Sequence, residues 1–509
     1  MARRTSTRSL TAVVLAAGKG KRLRSTTQKV LHPICGRPAL WHALQNVVAA
    51  RPSRIVVVVH HGADTVREAV RSWRIKPEPV FVEQERPLGT GHAVMVAEKA
   101  VGRAKEVLVV GGDFDPATPG HVRELLRVHH RTKSAATILT AEVPEPGGYA
   151  RILREGTDLL RIVEGSEAPP ALRRIKEISL LLFAFRREDL YGALPLVGRE
   201  NRQQEHYLNE VLPILLEKGE RVSAVKVDTG GAMGINSRRG LAETVRVVRE
   251  RINARHMERG VTIVDPETAF IDVDVRIGPD TVVHPLTFLE GSTRIGAGCE
   301  IGPSTRIADS TVGDGAVVQF SVVRETRIGR GATVGPFAHL RPGTVLGEGA
   351  KAGTFVEIKA SKVGDGAKVP HLSYVGDATV GRGSNVGAGT VTANYDGYRK
   401  HRTEIGEDVR VGSDTMLIAP VRVGDGAVTG AGSVITKDVP PGALAVERSA
   451  QRNVEGYRRR KDAEARAGGA GKGSRGRPRG EPGLKQRSGS PNEEGLKQRS
   501  GSPKEKGAR

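Results

Sequence analysis

From residue 328 to 434 an aliphatic residue recurs at every sixth position, and a small residue, most often glycine, follows it. The register runs Ile328-Gly329, Val334-Gly335, Leu340-Arg341, Leu346-Gly347, Ala352-Gly353, Ile358-Lys359. It slips by one residue and resumes at Val363-Gly364, Val369-Pro370 and Val375-Gly376, then slips again to Val380-Gly381 and Val386-Gly387. After an interruption it returns at Ile405-Gly406, Val411-Gly412, Leu417, Val423-Gly424 and Thr429-Gly430. A period of six fits neither a lone helix nor a simple hairpin. It predicts a parallel β-helix, with one hexad to a side and three to a coil. The aliphatic residues stack inward, and glycine relieves the tight corners. A glycine-rich linker repeating by chance would not keep an aliphatic lead over so many hexads.

Upstream the pattern changes. Between residues 10 and 238, apolar runs at 12–16, 55–59, 80–82 and 107–110 alternate with helical patterns at 38–50 and 64–73. That alternation predicts an α/β domain with a largely parallel sheet and helices on both faces. Binding loops then belong at the carboxyl ends of the strands. Between 237 and 260, Leu241, Val245, Val248 and Ile252 fall at helical spacing in polar sequence, which reads as a connecting helix with one apolar stripe. Looser hexads follow at Ile277-Gly278, Ile295-Gly296 and Ile301-Gly302. The predicted division is 1–238, a connecting helix over 239–259, a β-helix over 260–457, and a tail from 458 to 509.

Composition supports this. A chain of 509 residues exceeds one ordinary core, and 4% aromatic content suits a solenoid filled by small aliphatics. The formal charge is +22, and residues 458–509 carry 16 Lys/Arg against 6 Asp/Glu, a net +10. Gly, Arg, Lys, Ser and Pro dominate that tail, and Gly-Leu-Lys-Gln-Arg-Ser-Gly-Ser-Pro occurs at 483–491 and again at 495–503. Too little is apolar to bury, so disorder is expected. Such a tail can meet nucleic acid or an anionic surface, but without interleaved aromatics a solvated tail is the simpler reading. Cys35 and Cys299 lie far apart, which argues for a reducing compartment and no disulfide framework. The basic start and the apolar run 11–17 resemble a short secretory leader. The run ends in Gly18-Lys19-Gly20-Lys21, which favours a buried first strand entering a glycine loop. No segment is long and apolar enough to span a bilayer.

Three upstream loops can carry chemistry. In residues 15–23, Gly18 and Gly20 free the backbone to point N–H groups at an anion, and Lys19, Arg22 and Lys29 add charge. Taken alone, a plain strand-to-helix turn explains the loop equally well. In residues 84–93, Gly89 and Gly91 bracket Thr90, a turn able to hold a nucleobase or sugar edge; the simpler reading has Thr90 capping a helix that begins near His92. Asp113 follows the run 107–110, at a strand end where a carboxylate can hold Mg²⁺ on a triphosphate or be an exposed turn residue.

Within the β-helix, Arg341 and Lys359 occupy places where glycine is usual, His371 and Tyr374 follow Pro370, and Asn385 precedes Val386. Residues 392–401 interrupt the repeat, and an excursion from a coil is a usual home for a binding loop. Cations there can hold a sugar phosphate, and a histidine titrating near neutrality can accept a proton from an amine. A lone solenoid histidine is more often structural, but His371 has Tyr374, Asn385 and two cations for company.

Together these motifs resemble the bacterial bifunctional N-acetylglucosamine-1-phosphate uridylyltransferase/glucosamine-1-phosphate N-acetyltransferase family, over residues 10–457. The upstream resemblance rests on residues 15–23, Lys29-Val30-Leu31-His32, 88–93 and Gly112-Asp113. The closer, downstream one rests on Leu340-Arg341-Pro342-Gly343, 355–359, 385–390, Asn394-Tyr395-Asp396-Gly397 and 411–415. It implies a Rossmann-like α/β nucleotidyltransferase domain, a left-handed β-helix and a cytoplasmic homotrimer. It implies uridine and phosphate contacts at Leu15, Ala16, Ala17, Gly18, Lys29, Gln84, Gly89 and Thr90, Mg²⁺ at Asp113 and Asn236, and sugar contacts near Ala150, Glu164 and Ser179. In the β-helix it implies His371 as general base, with amino-sugar phosphate at Arg341, Lys359, Tyr374, Asn385 and Lys400. Acetyl-CoA contacts fall on Ala388, Asn394, Tyr395, Ser413, Ala431 and Arg448. The implied reactions are acetyl transfer from acetyl-CoA to glucosamine-1-phosphate, then uridylyl transfer from UTP to the product.

Departures from the family gather upstream. Tyr-Gly-Arg is here Tyr149-Ala150-Arg151, Glu-Ile-Asn-Thr-Gly is Glu177-Ile178-Ser179-Leu180-Leu181, and Gly-Asp-Val-Pro-Leu is Gly112-Asp113-Phe114-Asp115-Pro116. Gln28 replaces the proline before Lys29, and Glu-Tyr-Tyr-Leu-Thr-Asp is Glu205-His206-Tyr207-Leu208-Asn209-Glu210. Most of these touch the sugar side. The sequence therefore leaves open an acetyltransferase whose upstream domain has altered sugar choice, or serves as a non-catalytic nucleotide-binding or assembly module.

Overall fold

A computed structural model describes residues 9–113, 118–144, 146, 149–165, 168–201, 204–230 and 234–470. The leader-like residues 1–8, the segment Phe114-Asp115-Pro116 and both tail repeats lie outside the described residues. Residues up to Arg448 form one compact unit, and those from Ser449 a second.

In the first unit, the apolar runs become strands β1 (Leu10–Leu15), β2 (Arg54–Val59), β3 (Val80–Glu83) and β4 (Glu106–Gly111). They are followed by β5 (Ala136–Glu142), β6 (Arg151–Glu155), β7 (Asp158–Val163), β8 (Glu177–Arg186) and β9 (Val222–Val227). The sheet order is β3-β2-β1-β4-β8-β5-β9-β7-β6. β1 is buried throughout and pairs in parallel with β2 and β4, as a strand read from both faces by helices must be. The expectation of a largely parallel sheet holds for β1 to β4 and for the β5–β9 pair. β8 runs antiparallel to β4 and β5, and β6–β7 is an antiparallel hairpin, so the sheet is mixed. The register between β8 and β5 shifts between Ser179 and Phe183, a bulge that bends β8. Helices α1 (Ala39–Val48), α2 (Ala63–Ser72), α3 (Thr90–Val96) and α4 (Pro119–Thr132) follow β1, β2, β3 and β4 respectively.

The connecting helix, α5 (Arg238–Met257), starts where Ser237 Oγ accepts from Gly240 N at 3.1 Å. Its Val248 and Ile252 are buried in the same apolar cluster as Leu23, Ile34 and the first coils, so the two parts share a continuous core. An Arg37–Asp274 ion pair joins them beside it.

Downstream, three parallel ladders of eleven, ten and nine strands run the length of the β-helix among the described residues. The lead residues of the hexads are the buried ones: Val334, Ala352, Val369, Val386 and Val411 stack down one ladder. Leu340, Ile358 and Val375 stack down the next. Corner glycines are forced by the approach of the next coil. A methyl group on Gly353 would fall 2.0 Å from Pro370 O, and one on Gly381 2.3 Å from Gly406 O. The last paired strand is Leu444–Ala445.

The second unit begins with a difference from expectation. Tyr457–Ala470 is a helix with its described side chains exposed, in a stretch whose composition suggested none. Its residues are mostly Arg, Lys, Ala and Glu, which favour helix, and Arg458–Asp462 and Lys461–Glu464 pair along one side.

Candidate functional site

β1 ends at Leu15 and delivers Ala16, Ala17 and Gly18 to the carboxyl edge of the sheet. Ala16 N donates to Val58 O at 2.8 Å and Gly112 N to Leu15 O at 2.9 Å, so the loop is tied to the ends of β2 and β4. A methyl group on Gly112 would lie 2.9 Å from Leu15 O, which is why glycine stands there. Gly20 has φ +60°, and a side chain on it would meet Lys29 Cβ at 2.7 Å. That close approach lets Lys29 pass beneath the loop.

The Lys29 ammonium sits between two oxygens, Asp113 Oδ2 and Asn236 Oδ1, the latter at 2.8 Å. Arg22 reaches the same Asn236 oxygen at 3.3 Å, and Asn236 Nδ2 donates to the Tyr149 hydroxyl at 2.7 Å. Burial pushes the Tyr149 hydroxyl above its usual pKa, so it stays protonated at neutral pH. Asp113 and Asn236 thus converge although they are far apart in sequence, and a cation already bridges them. One carboxylate and one amide oxygen suit Mg²⁺, which keeps several waters and takes its other oxygens from phosphates. The residues present fit that ion.

The second loop closes against the strand of chain before the helix at 211–217. Gly89 has φ +103°, and a methyl group on it would fall 2.5 Å from His206 O. Gly91 N donates to His206 O at 2.8 Å. Gln84 is buried and donates to Gly89 O at 3.1 Å, with His92 Nδ1 at 2.9 Å. Thr90 does not cap a helix starting at His92. The helix starts at Thr90 itself, and Thr90 Oγ1 accepts from Leu208 N at 3.0 Å, because the strap made by 206–208 needs that partner more closely. His92 is held below its usual pKa by burial, then by the neighbouring His206.

In the group read as sugar contacts, Ala150 is buried and its carbonyl accepts from Ser179 N at 3.0 Å. Ser179 Oγ donates to Asn209 Oδ1 at 3.0 Å, and Asn209 Nδ2 donates to Glu164 Oε1 at 2.8 Å. Ala150, Glu164 and Ser179 are therefore one cluster, and Asn209, which motif reading noted only as a departure, is its centre. Because Ala150 follows Tyr149, this cluster adjoins Asp113 and Asn236.

The β-helix carries a second cluster. Val369, Val386, Val411 and Thr429 follow one another down the first ladder in register. Two residues past each of them, at one corner, come His371, Ala388, Ser413 and Ala431. Backbone bonds link these turns: Gly389 N to His371 O at 3.4 Å, Asp414 N to Ala388 O at 2.6 Å, Gly432 N to Ser413 O at 2.8 Å. Arg448 NH1 donates to Ala431 O at 2.9 Å and joins the column. His371 is exposed at its head.

The next ladder carries the cations. Lys359 pairs in register with Gly376, and Glu357 with Tyr374. Arg341 NH1 donates to Glu357 Oε1 at 2.8 Å. Gly376 leaves room for its neighbours: a methyl group there would meet the Tyr374 hydroxyl at 2.4 Å and Asn394 Nδ2 at 2.8 Å. Asp377 is the hub. Its Oδ2 accepts from Lys359 Nζ at 3.1 Å and from Asn394 Nδ2 at 2.5 Å. Sequence reading missed Asp377; the available signal was a carboxylate directly after a corner glycine in a wall of aliphatics. Asn385 stands on the first ladder, apart from the cations.

The excursion at 394–401 is ordered by Asp396, which accepts from Tyr398 N at 2.7 Å, Arg399 N at 2.6 Å and His401 Nε2 at 2.7 Å. These bonds, led by the Arg399 N–H, hold its carboxyl down to about 2. Tyr395 pairs with Lys400 across the hairpin, which returns Lys400 to Lys359. The proximity of Lys400 and Lys359 splits their proton affinities, Lys359 being pushed up by its coupling to Lys400 and then by Asp377, and Lys400 being pushed down by Lys359. No helix among the described residues is long and apolar enough to cross a membrane.

Comparison with known proteins gives two family matches, the MobA-like NTP transferase domain over residues 12–176 and the bacterial transferase hexapeptide (six repeats) over residues 402–437. Among curated proteins, the chain is 48% identical over 459 residues to the bifunctional protein GlmU of Streptomyces avermitilis, spanning 89% of this chain and 95% of that one. It is 46% identical to GlmU of Heliobacterium modesticaldum (89% and 98%) and 46% identical to GlmU of Mycobacterium tuberculosis (88% and 92%).

Proposed function

The chain belongs to the GlmU family of bifunctional proteins, and from that premise we propose which residues carry each half of its work. It is a bifunctional enzyme of UDP-N-acetylglucosamine synthesis, an acetyltransferase and a uridylyltransferase. We divide the work between residues 260–457 and 1–238, joined by the helix over 239–259.

In the acetyltransferase half, Arg341, Lys359 and Lys400 hold the phosphate of glucosamine-1-phosphate, with Tyr374 and Asn385 against the sugar. Ala388, Ser413, Ala431 and Arg448 line a path for acetyl-CoA, with Asn394 and Tyr395 at its side. His371 takes the first proton from the sugar ammonium; the freed nitrogen attacks the thioester carbonyl, the carbon–sulfur bond breaks, and the departing CoA thiolate takes up the second proton, which the new amide nitrogen sheds. The observation that carries this reading is the single corner column from His371 through Ala388, Ser413 and Ala431, beside the ladder of cations.

In the uridylyltransferase half, the loop at 15–18, Gln84, Gly89 and Thr90 hold the nucleotide, and Ala150, Glu164 and Ser179 face the sugar. Asp113 and Asn236 would hold Mg²⁺, which when bound offsets the charge of the UTP phosphates. A phosphate oxygen of N-acetylglucosamine-1-phosphate attacks the α-phosphorus of UTP, and pyrophosphate leaves. Lys29 and Arg22 add fixed positive charge beside the reacting phosphates.

We also propose a homotrimer working in the cytoplasm, where acetyl-CoA and UTP are made. One corner of the β-helix exposes a column of apolar side chains: Phe320, Phe337 (55% exposed), Phe355 (57%) and Leu372 (63%). Phe337 and Phe355 stack at 5.2 Å, and Leu372 directly follows His371. An apolar edge of this kind beside a reacting histidine fits a second copy of the chain. Phe337→Asp should lower the molar mass measured by light scattering, and an unchanged mass would remove this edge from the interface.

One purified sample tests the division of labour. CoA release is followed with acetyl-CoA and glucosamine-1-phosphate, and pyrophosphate release with UTP, N-acetylglucosamine-1-phosphate and Mg²⁺. His371→Ala should stop only the first and Asp113→Ala only the second. CoA release without pyrophosphate from the unaltered chain would overturn the assignment of the upstream half.

A further inference from the structure

Gln84 directly follows β3 and is buried. Its Nε2 lies 3.1 Å from Gly89 O and 2.9 Å from His92 Nδ1. We infer that His92 is a positioning residue of the upstream half: it locks the Gln84 amide with only its oxygen left for a ligand, so that the site takes a pyrimidine carrying a hydrogen on N3, as uracil does, and turns away one that lacks it, as cytosine does. The inference rests on the reading of Gln84 as a nucleotide contact.

Hydrogen-bond chemistry fixes the orientation of the amide. A backbone carbonyl only accepts, so the group facing Gly89 O is the NH₂ and not the amide oxygen. With one hydrogen on Gly89 O, the other is directed at His92 Nδ1, which accepts it only as a bare ring nitrogen. His92 is therefore the neutral tautomer with its hydrogen on Nε2. Burial, then the neighbouring His206, hold it below its usual pKa, in keeping with that state. Both N–H groups of Gln84 are then engaged inside the protein. Its Oε1 accepts from no group among the described residues and is not sealed from solvent, so it is the part of the amide left to meet a ligand. An oxygen that can only accept pairs with the N3–H of uracil. Opposite the bare N3 of cytosine it meets a second acceptor, and neither is satisfied.

Gly89 O alone would hold the amide by a single bond, about which it could swing and offer its second N–H to a ligand. His92 removes that freedom, and it is itself held. It sits in the first turn of α3, which begins at Thr90. The His206 ring lies over it, with centroids 6.3 Å apart and planes 22° from parallel. His206 is fixed in turn by three bonds: Nδ1 donates to Val197 O at 2.8 Å, its backbone N–H donates to Leu88 O at 2.8 Å, and its carbonyl accepts from Gly91 N at 2.8 Å. The strap at 206 thus braces both the loop that carries Gly89 O and the ring that carries Nδ1, the two acceptors that hold the amide.

The test uses the full chain with three substitutions: His92→Leu, which has no acceptor, His92→Asn, whose side-chain oxygen can take the place of Nδ1, and Gln84→Ala. Pyrophosphate release with N-acetylglucosamine-1-phosphate and Mg²⁺ gives kcat/KM for UTP and for CTP, and circular dichroism on heating reports that each variant is folded. His92→Leu should lower the ratio of UTP to CTP by about tenfold, and His92→Asn should keep it within threefold of the unaltered chain. A merely structural histidine would lose activity with both nucleotides by the same factor, so an equal loss in His92→Leu, or a ratio within twofold of the unaltered chain, refutes the inference. A loss of discrimination in His92→Asn as large as that in His92→Leu overturns the hydrogen-bond argument. Gln84→Ala separates the inference from the reading beneath it. If Gln84→Ala collapses the ratio and His92→Leu does not, Gln84 remains a nucleotide contact and the role of His92 falls. If Gln84→Ala leaves the ratio unchanged, the reading of Gln84 falls and takes the role of His92 with it.

Discussion

Asp377→Asn removes one charge and almost no volume, yet it strikes both substrates of the acetyl transfer. The carboxylate accepts from Lys359 at 3.1 Å and from Asn394 at 2.5 Å, so it aligns a cation proposed to bind the phosphate with a residue proposed to line the acetyl-CoA path. An asparagine can keep one acceptor, but its NH₂ then faces another donor. Hydrogen bonds to a charged group contribute about 1.5–3 kcal/mol. Lys359 and Asp377 each have side chains only 18% accessible, so solvent screens this pair weakly. If that alignment is needed in the transition state, kcat/KM for glucosamine-1-phosphate should fall about ten- to a hundredfold. A second signature follows from charge. Lys400 is already pushed down by Lys359, and Asp377 opposes that shift. Without Asp377, Lys400 loses its proton at a lower pH, so the rise of KM for the sugar phosphate with increasing pH should begin earlier than in the unaltered chain. CoA release measured from pH 7 to 9, with pyrophosphate release as the control, checks both. A kcat/KM within threefold of the unaltered chain across that range would refute the role of Asp377, and an equal loss of pyrophosphate release would reassign the effect to general damage.

Three further outcomes are expected. His256 is 2% exposed on α5, and burial, then Arg255 and Arg259, lower its pKa from 6.5 to about 4. The unfolded chain takes up a proton below pH 6.5 that the folded chain refuses, so stability present above 6.5 is lost progressively toward pH 4, by about 3 kcal/mol in full. His256→Leu should flatten the fall of melting temperature with acidity, and parallel curves would exclude this histidine as its source. Ser237→Ala removes the hydroxyl that accepts from Gly240 N and should cost about 1 kcal/mol in urea unfolding. Leu340→Ala opens a cavity in a fully buried coil beside Arg341 and should cost about 2–5 kcal/mol, read as earlier thermal unfolding, with acetyl transfer weakened more than uridylyl transfer.

The β-helix was legible because its rule is local. An aliphatic lead must point inward at every sixth residue, and Val334, Ala352, Val369 and Val386 do so. The slips in the hexads are shorter coils, absorbed without breaking the ladders. The upstream strands were legible as apolar runs, but their directions were not. Nothing in the run at 177–186 states that it enters antiparallel between β4 and β5, because that depends on which neighbours need covering once β1 to β4 are in place. Thr90 shows the same limit at one residue: its sequence context suits a cap, and a backbone N–H from Leu208, 118 residues away, claims its hydroxyl instead.

The two sites differ in legibility for a related reason, and it bears on which of them can drift. In a solenoid, the neighbour of a residue is fixed by counting around one coil. His371, Ala388, Ser413 and Ala431 come together because the leads two residues before them do. A substitution in that column has no other wall from which to draw a replacement. The cleft gathers its groups from residue 15 to residue 236, with no repeat to set their distances. Residues far apart in the chain meet there across the cleft, as Ser179 and Asn209 do at 3.0 Å. Nothing in the sequence joins those two residues; only the fold brings them close enough to be read as one.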